Sequence, residues 1–115
     1  MRNYTPSNSP VVAFKSICKV TVAQLGVTPL DEPISLIVVF VLPRPKKYDA
    51  KKFADGRLPH VARPDVDNLC KSVFDALNGV LWRDDSLIYS VFASKYYAAK
   101  GESPRVELHI TKLAK

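Results

Sequence analysis

From position 34 to position 42 the chain reads Ile-Ser-Leu-Ile-Val-Val-Phe-Val-Leu, apolar everywhere except Ser35, and Pro43 stops the run. A short, β-branched run of this kind predicts a buried strand. Upstream, Ser9-Pro10 followed by Val11, Val12, Phe14, Ile17, Val20 and Leu25 predicts a helix with proline in its first turn, ended by Gly26 as a left-handed cap. At about 100° per residue, positions 65–77 place Val66, Leu69, Cys70, Val73, Phe74, Ala76 and Leu77 on one side. Asp67, Lys71 and Asp75 stack on the other side, and Asn78-Gly79 ends this second helix. Positions 88–97 and 105–113 read as strands joined by the polar loop 100–104. In the last strand Val106, Leu108 and Ile110 alternate with Arg105, Glu107 and His109, the pattern of a strand covered on one face. Between 43 and 64, four prolines and seven basic residues argue for a long irregular loop. The sum is an α+β domain, two helices packed on a mixed β-sheet.

At 115 residues the chain suits a single domain over 1–115, and its 47% hydrophobic and 24% charged content excludes a disordered or collagen-like chain. The longest apolar run is far short of the roughly 20 residues of a membrane span, and no apolar stretch of signal-peptide type follows the N-terminus. Cys18 and Cys70 belong to no CxxC pair and sit among apolar residues, so they read as buried free thiols of a reducing compartment. The expectation is a soluble, cytoplasmic protein, with no membrane partner.

Charge changes the picture because it is localised. Of the net +6, residues 44–63 carry +5, with Arg44, Lys46, Lys47, Lys51, Lys52, Arg57 and Arg63 against Asp49 and Asp55. Residues 64–89 carry −3, from Asp65, Asp67, Asp75, Asp84 and Asp85 against Lys71 and Arg83. A basic loop alone is as readily a solvated surface as a phosphate site. A carboxylate cluster directly behind it repels phosphate, which a protein that merely holds DNA has no use for. A protein that cuts DNA with a metal needs one.

Asp65, following Pro64, belongs at the helix cap with extended backbone, from where its carboxylate can swing toward Asp67. Mg²⁺ takes a few carboxylates at about 2.1 Å, completed by water and phosphate. Asp84-Asp85 would return a third carboxylate at the start of the next strand. Each residue also has an ordinary reading. Aspartates cap helix starts, Asp84-Asp85 before Ser86 makes a turn, and Lys71 pairs with Asp67 four residues away.

The order Asp65-Val66-Asp67-Asn68-Leu69-Cys70-Lys71, then Asp75-Ala76-Leu77-Asn78-Gly79, then Asp84-Asp85-Ser86, resembles the RusA family of Holliday junction resolvases, the crossover junction endodeoxyribonucleases. The resemblance implies a small homodimeric endonuclease that binds four-way branched DNA and cuts two strands symmetrically with Mg²⁺ or Mn²⁺, in recombination and repair. It puts the metal ligands on Asp65, Asp67 and Asp85 and the catalytic lysine on Lys71, with Asp75 structural. The basic residues Arg44, Lys46, Lys47, Lys51, Lys52, Arg57 and Arg63 are the expected DNA contacts, with Arg83, Lys95, Tyr96 and Tyr97 secondary. Family members open with a short strand before the first helix, and this chain reaches that helix by about residue 10, as though the strand were missing. The competing readings are a non-catalytic junction-binding protein of the same fold and a nuclease for other branched DNA.

Overall fold

The computed structural model describes residues 28–113. Four strands and one α-helix follow in the order β1 (Ile34–Leu42), β2 (Leu58–Pro59), α1 (Val66–Leu77), β3 (Ile88–Tyr97) and β4 (Arg105–Lys112). Single 3-10 turns stand at Lys46–Asp49 and Asp85–Leu87. The expected helix at 9–26, the missing first strand and Cys18 all lie outside the described residues. Among the described residues no helix is long and apolar enough to cross a membrane.

The sheet runs β2-β3-β1-β4 and is mixed. β1 pairs in parallel with β3, with Leu36 beside Val91 and Val38 beside Ala93, and antiparallel with β4, with Val38 beside Leu108. β1 is therefore central, which is why its sequence is almost continuously apolar. Its even positions Ile34, Leu36, Val38 and Phe40 form one core with Val73, Ala76 and Leu77 of α1 and with Trp82. Side chains of this size contribute about 1.5–3 kcal/mol each on full burial. On the other face, β4 presents Arg105, Glu107 and His109, as its alternation predicts, beside Ile37 of β1.

α1 ends as its sequence predicts. Asn78 donates its backbone N–H to Phe74 O at 2.8 Å, and Gly79 takes the left-handed φ of 77° that a side chain would disfavour. The chain then turns through Val80 and Leu81, both bonded back to Leu77 O, and Trp82 is wholly buried.

The segment 43–64 departs from the expected irregular loop, because Arg44 supplies an internal scaffold that composition does not reveal. Its guanidinium donates to the carbonyls of Tyr48, Ala54, Gly56 and Ala98, with Asp49 at 3.3 Å, and only 5% of its side chain is exposed. A buried guanidinium with carbonyls on all sides organises the backbone around itself. Tyr48 packs edge-on against Phe53 and tilts against Tyr97. Arg57 is also committed, bound through Nη2 to Glu102 at 2.7 Å and to Glu107 at 3.2 Å.

Glu102 further accepts from the Ala99 N–H at 2.9 Å and pairs with Arg105 at 3.0 Å. Arg57 first, and then the Ala99 N–H, pull its carboxyl down to about 2 from an ordinary 4.5. A depressed carboxyl favours the fold above its unfolded value, and that contribution disappears as pH falls through the folded value. The thermal midpoint of the wild-type protein is therefore expected to drop between about pH 4.5 and 2, and Glu102→Gln to flatten that drop while lowering the midpoint at pH 7. Unfolding followed by circular dichroism across this pH range checks both, and an unchanged profile in Glu102→Gln would show that the network contributes nothing.

Candidate functional site

The first turn of α1 displays the residues singled out by the sequence. Asp65 is the N-cap, extended at φ −70° and ψ 153°, and its side chain makes no capping hydrogen bond. The ordinary reading of this aspartate as a helix cap is thus not realised, and its exposed carboxylate is not spent on the backbone. Asp67, Lys71 and Asp75 are exposed on the side of α1 away from the core, as the periodicity predicts. Among the described residues, no carboxylate lies within ion-pair distance of Lys71, so the i,i+4 pairing with Asp67 is also not realised. Cys70, half-buried and free, sits at the margin of the core, where burial first and the neighbouring Asp67 second push its thiol up.

The approach to this helix end is held from below by Lys95. Its Nζ donates to Ala62 O at 2.6 Å and Pro64 O at 2.8 Å, bracketing the cis Arg63–Pro64 peptide immediately before Asp65. Lys95 was expected as a secondary DNA contact; the structure makes it an anchor for residues 62–64. Its neighbour His60 is buried, donates its backbone N–H to Lys95 O, and packs on Tyr97 with ring centroids 4.7 Å apart. Burial, and then the Lys95 charge, hold the His60 imidazole below its ordinary value. Tyr97 is likewise a packing residue, lying between Tyr48 and His60.

Asp84 and Asp85 stand at the opposite end of α1. Asp84 accepts from the Ser86 N–H at 3.1 Å, capping a 3-10 turn, so the turn reading holds for it. Asp85 is half-buried. Its Oδ1 accepts the indole N–H of Trp82 at 2.6 Å, and its own N–H donates to Asn78 Oδ1 at 2.9 Å. Asn78 lies eleven residues beyond Asp67, a rise of about 16 Å. One chain therefore carries Asp65, Asp67 and Lys71 on the N-terminal half of α1 and leaves Asp85 at the far end of the helix. In keeping with this, no group of three His, Cys, Asp or Glu side chains among the described residues is arranged to hold a metal ion. Asp65 and Asp67 by themselves suit Mg²⁺ in donor type, since that ion is commonly held by one or two carboxylates with water and substrate phosphate.

The basic residues divide sharply. Lys46, Lys47, Lys51, Lys52 and Arg63 are exposed. Lys47 and Lys52 lie over the rings of Tyr48 and Phe53, at 5.0 and 5.3 Å. Arg44 and Arg57 are withdrawn into the internal contacts described above and do not present themselves to a phosphate backbone. Arg83 pairs with Asp31 at the surface. Sequence reading overlooked Trp82 and Asn78 as the groups that hold Asp85, and Lys95 as the anchor beneath Asp65. The tryptophan offered a signal, since a buried indole seeks an acceptor and Asp85 is three residues away. The lysine offered none, because its acceptors are backbone carbonyls more than thirty positions distant.

Lys95→Met keeps the apolar stem and removes both carbonyl contacts, so about 1.5–3 kcal/mol of stability should be lost. Hydrogen exchange should accelerate at the Leu69 amide, which closes the first turn onto Asp65 O at 3.1 Å. Unaltered exchange there would mean that the first turn of α1 stands without this anchor.

The family model described as Endodeoxyribonuclease RusA matches residues 2–111. A relative from Bacillus subtilis (strain 168), named Uncharacterized protein YqaN, is 37% identical over 92 residues, covering 76% of this chain. The chain spans 63% of the length of that relative. The match to the family extends over nearly the whole sequence, well beyond the helix and its flanks, and the chain belongs to the RusA family of endodeoxyribonucleases.

Proposed function

We propose that residues 1–115 form one nuclease domain that acts as a homodimer on four-way DNA junctions, cutting two strands symmetrically with Mg²⁺, or Mn²⁺ in its place. The observation that carries this reading is the exposed row on α1. Asp65, Asp67 and Lys71 stand exposed on the first two turns of α1 with neither the side-chain cap nor the ion pair that would explain them as structural, and Lys46, Lys47, Lys51, Lys52 and Arg63 are exposed as well. Asp65 and Asp67 would hold the ion, which supplies a Lewis acid for the phosphate and lowers the pKa of a bound water.

The chain's own contribution follows from where its groups stand. Lys71 projects one turn beyond Asp67 on the same side, placed to donate to a phosphate oxygen as negative charge develops there. Lys46, Lys47, Lys51, Lys52 and Arg63 neutralise backbone phosphates on either side, which positions the duplex without reading its sequence. Arg44 and Arg57 act indirectly by shaping the segment that carries those lysines.

Incubation with a synthetic four-way junction, with and without Mg²⁺, tests the reading, and paired symmetrical nicks only with metal are the expected result. Binding without cleavage at any metal concentration would point to a junction-binding protein, and cleavage of flaps in preference to junctions to another branched-DNA nuclease. Asp67→Asn should abolish cleavage and leave junction affinity unchanged or raised, because it removes a metal ligand and a phosphate-repelling charge. Lys71→Ala should lower single-turnover cleavage by about 10²–10³-fold. Its stability should change by less than about 0.5 kcal/mol, since no ion pair is lost. Neutralising Lys46, Lys47, Lys51 and Lys52 together should flatten the salt dependence of binding by roughly one log–log unit per lost phosphate contact. An unchanged slope would place the DNA on another face.

A further inference from the structure

Among the described residues His60 is the one buried side chain with an unsatisfied polar atom: it is 7% exposed, and its Nδ1 has no hydrogen-bond partner. An unpaired polar atom in that place costs stability that an apolar ring of similar size would not. Packing alone therefore does not account for a histidine here. The β2–β3 register sets Leu58 beside Tyr97 and Pro59 beside Tyr96, so the next residue, His60, stands beside Lys95. Residues opposite each other in an antiparallel ladder share a face, with Cβ atoms about 5 Å apart. On one side the imidazole packs against Tyr97, whose ring meets Tyr48 at 5.2 Å, and Tyr48 meets Phe53 at 4.9 Å. Lys47 and Lys52 lie over the last two of these rings. On the other side Lys95 Nζ holds Ala62 O and Pro64 O, directly before Asp65. A continuous run of packed groups thus leads from exposed lysines to the carboxylates, with His60 in its middle.

We propose that His60 is a positioning residue: it joins the lysine-bearing segment 46–53 to the first turn of α1, so that the lysines and the carboxylates of Asp65 and Asp67 keep one spacing. That the joined parts grip and cut DNA rests on the function proposed above; the joint itself does not. The joint is also sensitive to charge. Facing the imidazole are the Lys95 ammonium and the Tyr97 ring, both from β3, and among the described residues no carboxylate pairs with it. A proton on His60 would set two cations side by side away from water. Lys95, on its flexible stem, relieves this only by leaving Ala62 O and Pro64 O. In the closed form His60 therefore stays uncharged below its ordinary value of 6.5, and an opening that wets the ring takes up the proton first. Opening becomes easier as pH falls through that value, by up to about tenfold per unit.

Hydrogen exchange reads the joint without any reaction. The amides to follow are Leu69, bonded to Asp65 O, and Tyr48 and Phe53, bonded to Pro45 O and Ala50 O. From pH 7.5 to 5.5, after correction for intrinsic rates, protection at both ends should fall together by about tenfold, while the β1–β4 ladder should not respond. His60→Phe keeps a ring and cannot take a proton, so its protection should be the same at both pH values; His60→Ala should lose protection at both. Wild-type protection that ignores pH, that falls equally in His60→Phe, or that changes at one end only overturns the joint. The wild-type and His60→Phe arms decide this even if His60→Ala fails to fold. Single-turnover cleavage of a four-way junction with Mg²⁺ at pH 7.5 then tests what the joint is for. His60→Ala should cut about 10- to 100-fold more slowly, and His60→Phe should recover most of that loss. A folded His60→Ala protein that cuts at the wild-type rate overturns the positioning role. The expected exchange pattern in a wild-type protein that cuts no DNA upholds the joint and overturns the nuclease reading instead.

Discussion

Burial of one side of α1 against β1 is the constraint from which the site follows. Val73, Ala76 and Leu77 are withdrawn from solvent against Ile34, Leu36, Val38 and Phe40, each large side chain contributing about 1.5–3 kcal/mol. With that side fixed, Asp67, Lys71 and Asp75 have no freedom but to face outward, since residues four apart share a side of a helix. The exposed Arg83–Asp31 pair, by contrast, is worth about 0–1 kcal/mol and can orient nothing that the core has not already placed. The rigidity of the acid–base row is thus inherited from apolar packing on the reverse side.

The same packing sets the reach of the site. A helix of twelve residues separates its own ends by nearly its full length of about 18 Å, and the chain leaves its C-terminal end through Trp82 and the 3-10 turn Asp85–Leu87 into β3. The indole N–H then fixes Asp85 at that end. A straight helix and a buried tryptophan together divide one acidic motif into two halves, although the residues stand within about twenty positions of each other along the chain. Proximity in sequence and convergence in space part company here, for a reason that is purely geometric.

The basic segment illustrates a second division, between charge as a surface property and charge as internal scaffold. Arg44 has its guanidinium surrounded by carbonyl oxygens and Arg57 is clasped by two glutamates, whereas the four lysines remain in solvent. A planar fork of five donors suits the first task, and a compact ammonium on a flexible stem suits the second. The net charge of the segment overstates what it offers to DNA, because part of it has been turned inward to give shape to the rest.

By itself the sequence determined the identities and bounds of the central strand, of β3 and of the amphipathic helix, because hydrophobic periodicity reports directly on burial. It also determined the family, through a motif whose spacing survives as one helix plus a return to the sheet. The cap residue was legible too: Asp65 after proline has the extended backbone its position demanded. Tertiary structure alone decided which basic residues face solvent, since the acceptors of Arg44 lie up to 54 positions away. It alone decided that Lys95 serves the approach to Asp65, and that a loop dense in proline becomes an ordered segment with its own 3-10 turn and strand. It decided as well that the third aspartate stands apart from the other two. Local pattern fixes which way a side chain points from its own element; which elements meet at their ends depends on helix length, strand direction and packing, and these emerge only when the chain is folded.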